Sequence, residues 1–135
     1  VERLATRLRL RRLNVRVDGT QALVQGDAFL LRQALVNMLE NAVDFAPVDS
    51  TIDLSIERRG ASWCVAVADR GPGVADYARE RVFERFYSTP RPSGGSRSSG
   101  LGLCFVAETA ALHAGAARLE NRDGGGAVAT LTIPA

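Results

Sequence analysis

At 135 residues, with 46% apolar and 24% charged side chains, the chain has the size and balance of one globular domain, which excludes a disordered tail. No stretch approaches the roughly 18 apolar residues that a membrane span needs, and no signal peptide is visible. The net charge of +2 comes from 17 basic and 15 acidic residues, with much of the excess at Arg3, Arg7, Arg9, Arg11, Arg12 and Arg16. That run interleaves with Leu4, Leu8, Leu10 and Leu13 and lacks aromatics for base stacking. It therefore reads as a helix face or an interdomain segment over residues 1–13, with no nucleic-acid partner. Cys64 and Cys104 are too few and too far apart for a metal-ligand pattern, and read as buried thiols of a reducing cytosol. The chain opens on Val1 rather than Met, and is read as a piece of something longer.

In chain order, Asn14 to Asp18 and Ala22 to Gln25 alternate as strands around Asp18-Gly19, a hairpin signal. Asp27 caps a helix that runs to Phe45 and stops at Pro47. On that helix Leu31, Ala34, Leu35, Met38, Ala42 and Phe45 form an apolar stripe beside a polar strip of Asn37, Asn41 and Asp44. Thr51 to Glu57 and Ser62 to Ala68 are strands joined at Arg59-Gly60; the second is apolar enough to be central in a sheet. Asp76 caps a short helix through Arg81, and Ser88 to Ser99, rich in serine, proline and glycine, reads as a mobile lid spanning about 84–99. Leu101 to Ala114 is helical with Gly115 as C-cap, and Ala117 to Asn121 and Ala127 to Ile133 close the chain as a strand pair. The order predicts an α/β two-layer sandwich, helices on one face of a mixed, mostly antiparallel sheet, over residues 14–135.

Four signatures stand in sequence: Asn37 and Asn41; Asp69-x-Gly71-x-Gly73; Phe83 to Tyr87; and Gly100-Leu101-Gly102-Leu103. Each has a distinct use on one nucleotide. Two asparagines four apart inside a helix are locally unfavourable, so something must reward them, and the amide oxygen of Asn41 is a hard ligand suited to Mg2+. A carboxylate at a strand end, Asp69, can accept from the exocyclic amine of adenine and would repel a guanine carbonyl. Gly71 and Gly73 let the backbone approach closely. Gly100, Leu101 and Gly102 open a helix whose free N–H groups favour phosphate. Phe83, Phe86 and Tyr87 read as packing, holding Arg85 at the root of the lid, where it can reach terminal phosphates.

These residues resemble sensor histidine kinases. Leu35 to Ala42 is similar to the N box of that family, Asp69 to Gly73 to the G1 box, Val82 to Tyr87 to the F box and Gly100 to Leu103 to the G2 box. The stretches Asn41 to Pro47 and Phe83 to Val106 look most like its carbon-source-responsive members. The resemblance implies the Bergerat ATP-binding fold shared with gyrase, Hsp90 and MutL, and a protein-histidine kinase catalytic domain that uses ATP and Mg2+. It carries Mg2+ coordination to Asn41, the one position here with a catalytic role, and adenine binding to Asp69. Asn37, Gly71, Gly73, Gly100 and Gly102 take their matching places.

The implied partners are a histidine-bearing dimerisation domain of the same protein, a response regulator, and a second copy only in the full-length protein. The implied place is the cytoplasmic part of an inner-membrane sensor. Two positions depart from the pattern: Asp44 stands where many of these kinases have a phosphate-contacting lysine, and Ser98 where the G2 box has its first glycine. The sole histidine, His113, lies late in the last helix, so the phosphoacceptor is expected outside this chain. The competing readings are an ATPase of the gyrase or MutL class, in which a glutamate at the position of Asn37 activates water, and a degenerate module that only docks.

Overall fold

The computed structural model describes residues 2–19, 24–75, 78, 81–84 and 102–135. The expectations placed on Asp76, Arg85, Phe86, Tyr87, Ser98, Gly100, Leu101 and the Ser88 to Ser99 lid lie outside the described residues.

Helix α1 (Glu2–Leu10) ends in a Schellman turn. Arg12 takes the left-handed conformation at φ 54°, and the Leu13 N–H reaches back to the Leu8 carbonyl at 2.9 Å. Strand β1 (Asn14–Gly19) follows. Helix α2 (Ala28–Phe45) starts where the Asp27 carboxylate accepts from the Leu30 N–H at 3.0 Å. It stops because Ala46, preceding Pro47, is extended. Strands β2 (Thr51–Arg59) and β3 (Ser62–Ala68) pair antiparallel. A 3-10 turn occupies Arg81–Phe83. Helix α3 (Gly102–Leu112) and strands β4 (Ala116–Asn121) and β5 (Ala127–Pro134) complete the chain. At the end of α3, Ala114 rather than Gly115 takes the left-handed position, at φ 57°.

Among the described residues five strands lie in the order β1-β2-β3-β5-β4, with β3 central as expected. Only β1 and β2 are parallel. The register stacks apolar side chains into rows: Leu54, Val67, Ala129 and Leu119 in one, Ile56, Val65, Leu131 and Ala117 in the next. Ala34, Met38, Ala42 and Val43 of α2, Leu103, Val106 and Ala110 of α3, and Leu4 of α1 are buried in the same core. This is the two-layer α/β sandwich that the sequence predicts.

Among the described residues the predicted hairpin at Asp18-Gly19 is not seen; Ala22 and Leu23 of its second strand lie outside them. β1 pairs in parallel with β2, from Asn14 opposite Thr51 to Gly19 opposite Ile56, and Val24 and Gln25 are not in a strand. Gly19 is required for another reason: a Cβ there would strike the Ile56 backbone, so the glycine serves close strand approach.

The arginines of the first 16 residues are largely engaged. Arg7 pairs with Asp44, Arg12 binds Asp49 through two nitrogens at 2.7 and 3.0 Å, and Arg16 meets Asp53 at 2.7 Å. Each pair is 37 residues apart, the same offset as the β1–β2 register. Arg11 adds a bond to the Ala46 carbonyl at 2.6 Å. The segment from α1 to β1 is thus laid parallel to the segment from α2 to β2 and tied along its length.

Candidate nucleotide site

Alternation along β3 turns Val65 and Val67 toward the helices, and the next residue in phase is Asp69. It is 3% exposed. Its backbone N–H donates to the Ala127 carbonyl at 2.9 Å, and its Oδ1 accepts from the N–H groups of Gly71 at 2.8 Å and Ala127 at 3.4 Å. Among the described residues Oδ2 has no donor. Burial pushes this carboxyl above the ordinary carboxylate range, against the opposing pull of the two backbone N–H groups and the charge of Arg122. One oxygen is therefore structural, and the other is free for a donor from outside.

The glycines after Asp69 are fixed by packing. A Cβ on Gly71 would strike the Phe45 carbonyl at the end of α2. Gly73 is left-handed, at φ 82°, and a Cβ there would stand 2.7 Å from Oδ1 of Asn121. Their job is to seat the segment between α2 and the β4–β5 turn.

On α2 the side chains of Asn37, Asn41 and Asp44 are all half-buried on one strip. Asn37 is occupied at both ends of its amide: Nδ2 donates to the Gly102 carbonyl at 3.2 Å, and Oδ1 accepts from Gln33 at 2.9 Å. It ties α2 to the first residue of α3. Asn41 makes no hydrogen bond among the described residues, which leaves its amide available. Asp44 does not stand uncompensated, because Arg7 of α1 pairs with it. Gly102 opens α3 with open space where a Cβ would be. α2 thus touches the two glycine signatures, Gly71 at Phe45 and Gly102 at Asn37. Val82 and Phe83 pack against the core, as expected of that signature.

His113 joins the far ends of the same helices. Its Nε2 accepts from the Asp27 N–H at 3.0 Å, so the tautomer is fixed and Nδ1–H donates to the Thr109 carbonyl at 2.7 Å. Both ring nitrogens are engaged within the domain.

Sequence reasoning passed over the residues that brace Asp69. Asn121 grips Val74 through both backbone groups, at 2.7 and 3.1 Å. Arg122 bonds the Asp69 carbonyl at 3.3 Å and pairs with Asp53. Gly126, at φ 107°, lies so close to that same carbonyl that a Cβ there would strike its oxygen. Three consecutive glycines after Asn121-Arg122 were the available signal, since a turn needing that much conformational freedom is being pressed against something.

Over residues 26–135 the chain matches the family described as histidine kinase-, DNA gyrase B- and HSP90-like ATPase. It is 44% identical over 123 residues to sensor protein CreC of Escherichia coli (strain K12), which covers 91% of the chain and 26% of CreC. The chain therefore spans about a quarter of that relative's length. Its fold is similar to the mycobacterial sensor histidine kinase MprB, with a TM-score of 0.83 at 28% identity, covering 98% of this chain and 90% of that one. Full-length ShkA in complex with AMPPNP aligns with a TM-score of 0.79 at 30% identity, covering 98% of this chain and 28% of ShkA. Since the matched span takes in α2, Asp69 and α3 together, the chain belongs to the histidine kinase-, DNA gyrase B- and HSP90-like ATPase family, as an ATP-binding catalytic domain of the sensor histidine kinase kind.

Proposed function

We propose that the chain binds ATP with Mg2+ and presents the γ-phosphoryl group to a histidine on a separate helical dimerisation domain, from which a response regulator takes it. The observation that carries this reading is the divided carboxylate of Asp69, with Oδ1 pinned by backbone and Oδ2 left free. A free carboxylate oxygen in a buried setting selects a ligand edge that donates, which adenine offers through its amine and guanine replaces with a carbonyl. The AMPPNP complex of ShkA supports an adenine nucleotide as the ligand.

The other residues fit the same ligand. Asn41 offers its unbonded amide oxygen to the metal, and Asn37 sets the start of α3 against α2. Gly100, Leu101, Gly102 and Arg85 are assigned to the phosphates, and Gly71 and Gly73 to the turn beside adenine. Bound Mg2+ would neutralise phosphate charge and polarise the group being transferred. Because Asn37 is an amide, it cannot act as a general base, which supports transfer to a histidine over hydrolysis. His113 has both nitrogens committed, which supports an acceptor elsewhere. Residues 1–13 are read as the continuation of an upstream helical segment, and dimerisation as a property of the longer protein. No helix among the described residues is long and apolar enough to cross a membrane; the place assigned to the domain is the cytoplasmic side of an inner-membrane sensor.

Calorimetry with ATP, with and without Mg2+, tests the binding half. The wild type should bind in a Mg2+-dependent way, and Asn41→Ala should lose most of that dependence with its fold intact; no binding by the wild type would leave only a docking role. Labelling the full-length protein with γ-labelled ATP tests the transfer half. Label on a histidine outside residues 1–135 is expected, and ATP consumption without labelled histidine would make it a hydrolase.

Asp44 gives a separate expectation. Its negative charge lies on the same strip as Asn41, the residue assigned to the metal of Mg2+-ATP, and Arg7 offsets part of it. Arg7→Ala should weaken Mg2+-ATP binding by about threefold to tenfold, and adding Asp44→Asn should restore it, as read by calorimetry. A loss that Asp44→Asn does not repair would mean that Arg7 acts only on the docking of α1.

A further inference from the structure

Adenine recognition accounts for Oδ2 of Asp69 but not for Arg122, a charged residue whose side chain is only 16% exposed. We infer that Arg122 is a positioning residue for Asp69, holding the carboxylate in line for adenine from the β4–β5 turn. The inference rests on the reading of Asp69 as the adenine acceptor.

The guanidinium is used at two points. Nη1 donates to the Asp69 backbone carbonyl at 3.3 Å, and Nη2 pairs with Oδ2 of Asp53. Asp53 is itself anchored from the other side by Arg16 at 2.7 Å. The fork therefore ties the end of β3 to β2, and through Asp53 to β1. The main chain of the same turn completes the hold. Arg122 N–H donates to the Gly126 carbonyl at 2.8 Å, and Gly125 N–H to the Arg122 carbonyl at 3.1 Å, which closes the turn. That closure sets Gly126 against the Asp69 carbonyl and aims the Ala127 N–H at Oδ1. Asn121, one residue earlier, fixes Val74 at the other end of the segment. Asp69 is thus held at its N–H, its carbonyl and one carboxylate oxygen by a single turn.

The charge matters as well as the contacts. Among the described residues the charged groups linked to Asp69 by hydrogen bonds are Arg122 from the turn, Asp53 from β2 and Arg16 from β1 behind it, with Arg70 next in the chain and its guanidinium toward Gly124 of the same turn. For Asp53 itself, burial alone would push the carboxyl up, but the bonds and charges of Arg122 and Arg16 outweigh it and hold it below the ordinary carboxylate range. Arg122 accordingly faces Asp69 as a cation already paired, which limits but does not remove its influence. Without it, burial of Asp69 would be opposed by backbone N–H groups alone. A lysine would keep the pair with Asp53 but, as a compact point charge, could not span both partners.

The test is Mg2+-ATP titration from about pH 4 to about pH 8 for the wild type, Arg122→Leu and Arg122→Lys, with urea midpoints recorded on each. Arg122→Leu should bind about tenfold more weakly at neutral pH, the order expected when a bond ordering a charged acceptor is lost. The pH midpoint of binding should also move upward, which a purely structural role would not cause. Arg122→Lys should keep the wild-type midpoint and lose about threefold in affinity. If the wild type binds and Arg122→Leu shows unchanged affinity and midpoint, the inference is overturned while the adenine reading stands. Should Arg122→Leu fail to fold, Arg122→Lys decides, and wild-type affinity from it overturns the inference. Absence of ATP binding by the wild type would remove the adenine reading itself.

Discussion

Asp69→Asn is expected to reduce ATP affinity by about a hundredfold or more while leaving the fold intact. An asparagine has one acceptor oxygen where aspartate has two. The Gly71 and Ala127 N–H groups claim that oxygen, as they now claim Oδ1. The amide nitrogen then occupies the place of Oδ2 and points a donor at the donating edge of adenine. Stability should move the other way. Burial raises the Asp69 carboxyl above its unfolded range, so the folded state binds this proton more tightly than the unfolded one. The sign follows: stability falls as pH rises from the ordinary carboxylate range through the raised folded value, and the whole cost is present above that value. Asp69→Asn removes that ionisation, so its thermal midpoint at pH 7 should equal or exceed the wild type's. ATP affinity of the wild type should rise with pH over the same window, because the acceptor must be ionised. A variant that kept wild-type affinity for ATP would place adenine elsewhere.

Gly126→Ala is expected to cost about 3 kcal/mol or more, against about 1 kcal/mol for Gly125→Ala. The two glycines have nearly the same φ, 107° and 108°, so the strain of a positive φ on adding a Cβ is common to both. Their surroundings differ. A Cβ on Gly125 meets nothing within 4 Å, whereas one on Gly126 would overlap the Asp69 carbonyl oxygen and press on the Cα of Arg70. Both obstacles are backbone and cannot rotate away, so β3 and the turn must separate. Urea unfolding of the pair isolates the clash, because the strain cancels in the comparison. ATP affinity should fall with Gly126→Ala and stay near wild type with Gly125→Ala. Equal destabilisation by the two would mean that the turn is not pressed against Asp69.

How far the fold could be read beforehand depended on the range of the forces involved. α2 was legible to the residue, because a side-chain cap at Asp27 and the steric demand of Pro47 are local. The strands β2 to β5 followed from alternation and from an apolar β3 that had to be central. At Asp18-Gly19 turn chemistry was read, whereas in the described residues β1 pairs in parallel with β2 and the glycine serves contact with Ile56, far along the chain. A parallel pairing of β1 with β2 leaves no mark in either strand alone. The same limit applies at the site. Asn37 and Asn41 stood out because asparagine is locally unfavourable inside a helix, and Asp69 because it is a carboxylate at the end of an apolar strand followed by Gly71 and Gly73. Asn121, Arg122 and Asp53 did not, because an Asn-Arg before a glycine turn and an acid in an alternating strand look ordinary until the turn is folded onto Asp69. Asp44 falls between the two: the charge was visible as out of place, and its partner Arg7 emerged only when α1 was laid against α2.

A stability penalty at Asp69 and its support by the β4–β5 turn are two sides of one design. A carboxylate held in a buried residue is costly in the free protein, and its oxygen without a protein donor is selective for a donating ligand. The most direct measurement of that claim is a calorimetric titration of the wild type with ATP and with GTP, both with Mg2+, at neutral pH. The account predicts one ATP bound per chain and GTP at least about tenfold weaker, since guanine sets a carbonyl against Oδ2. Equal affinity for the two nucleotides, or no binding of ATP, would contradict it.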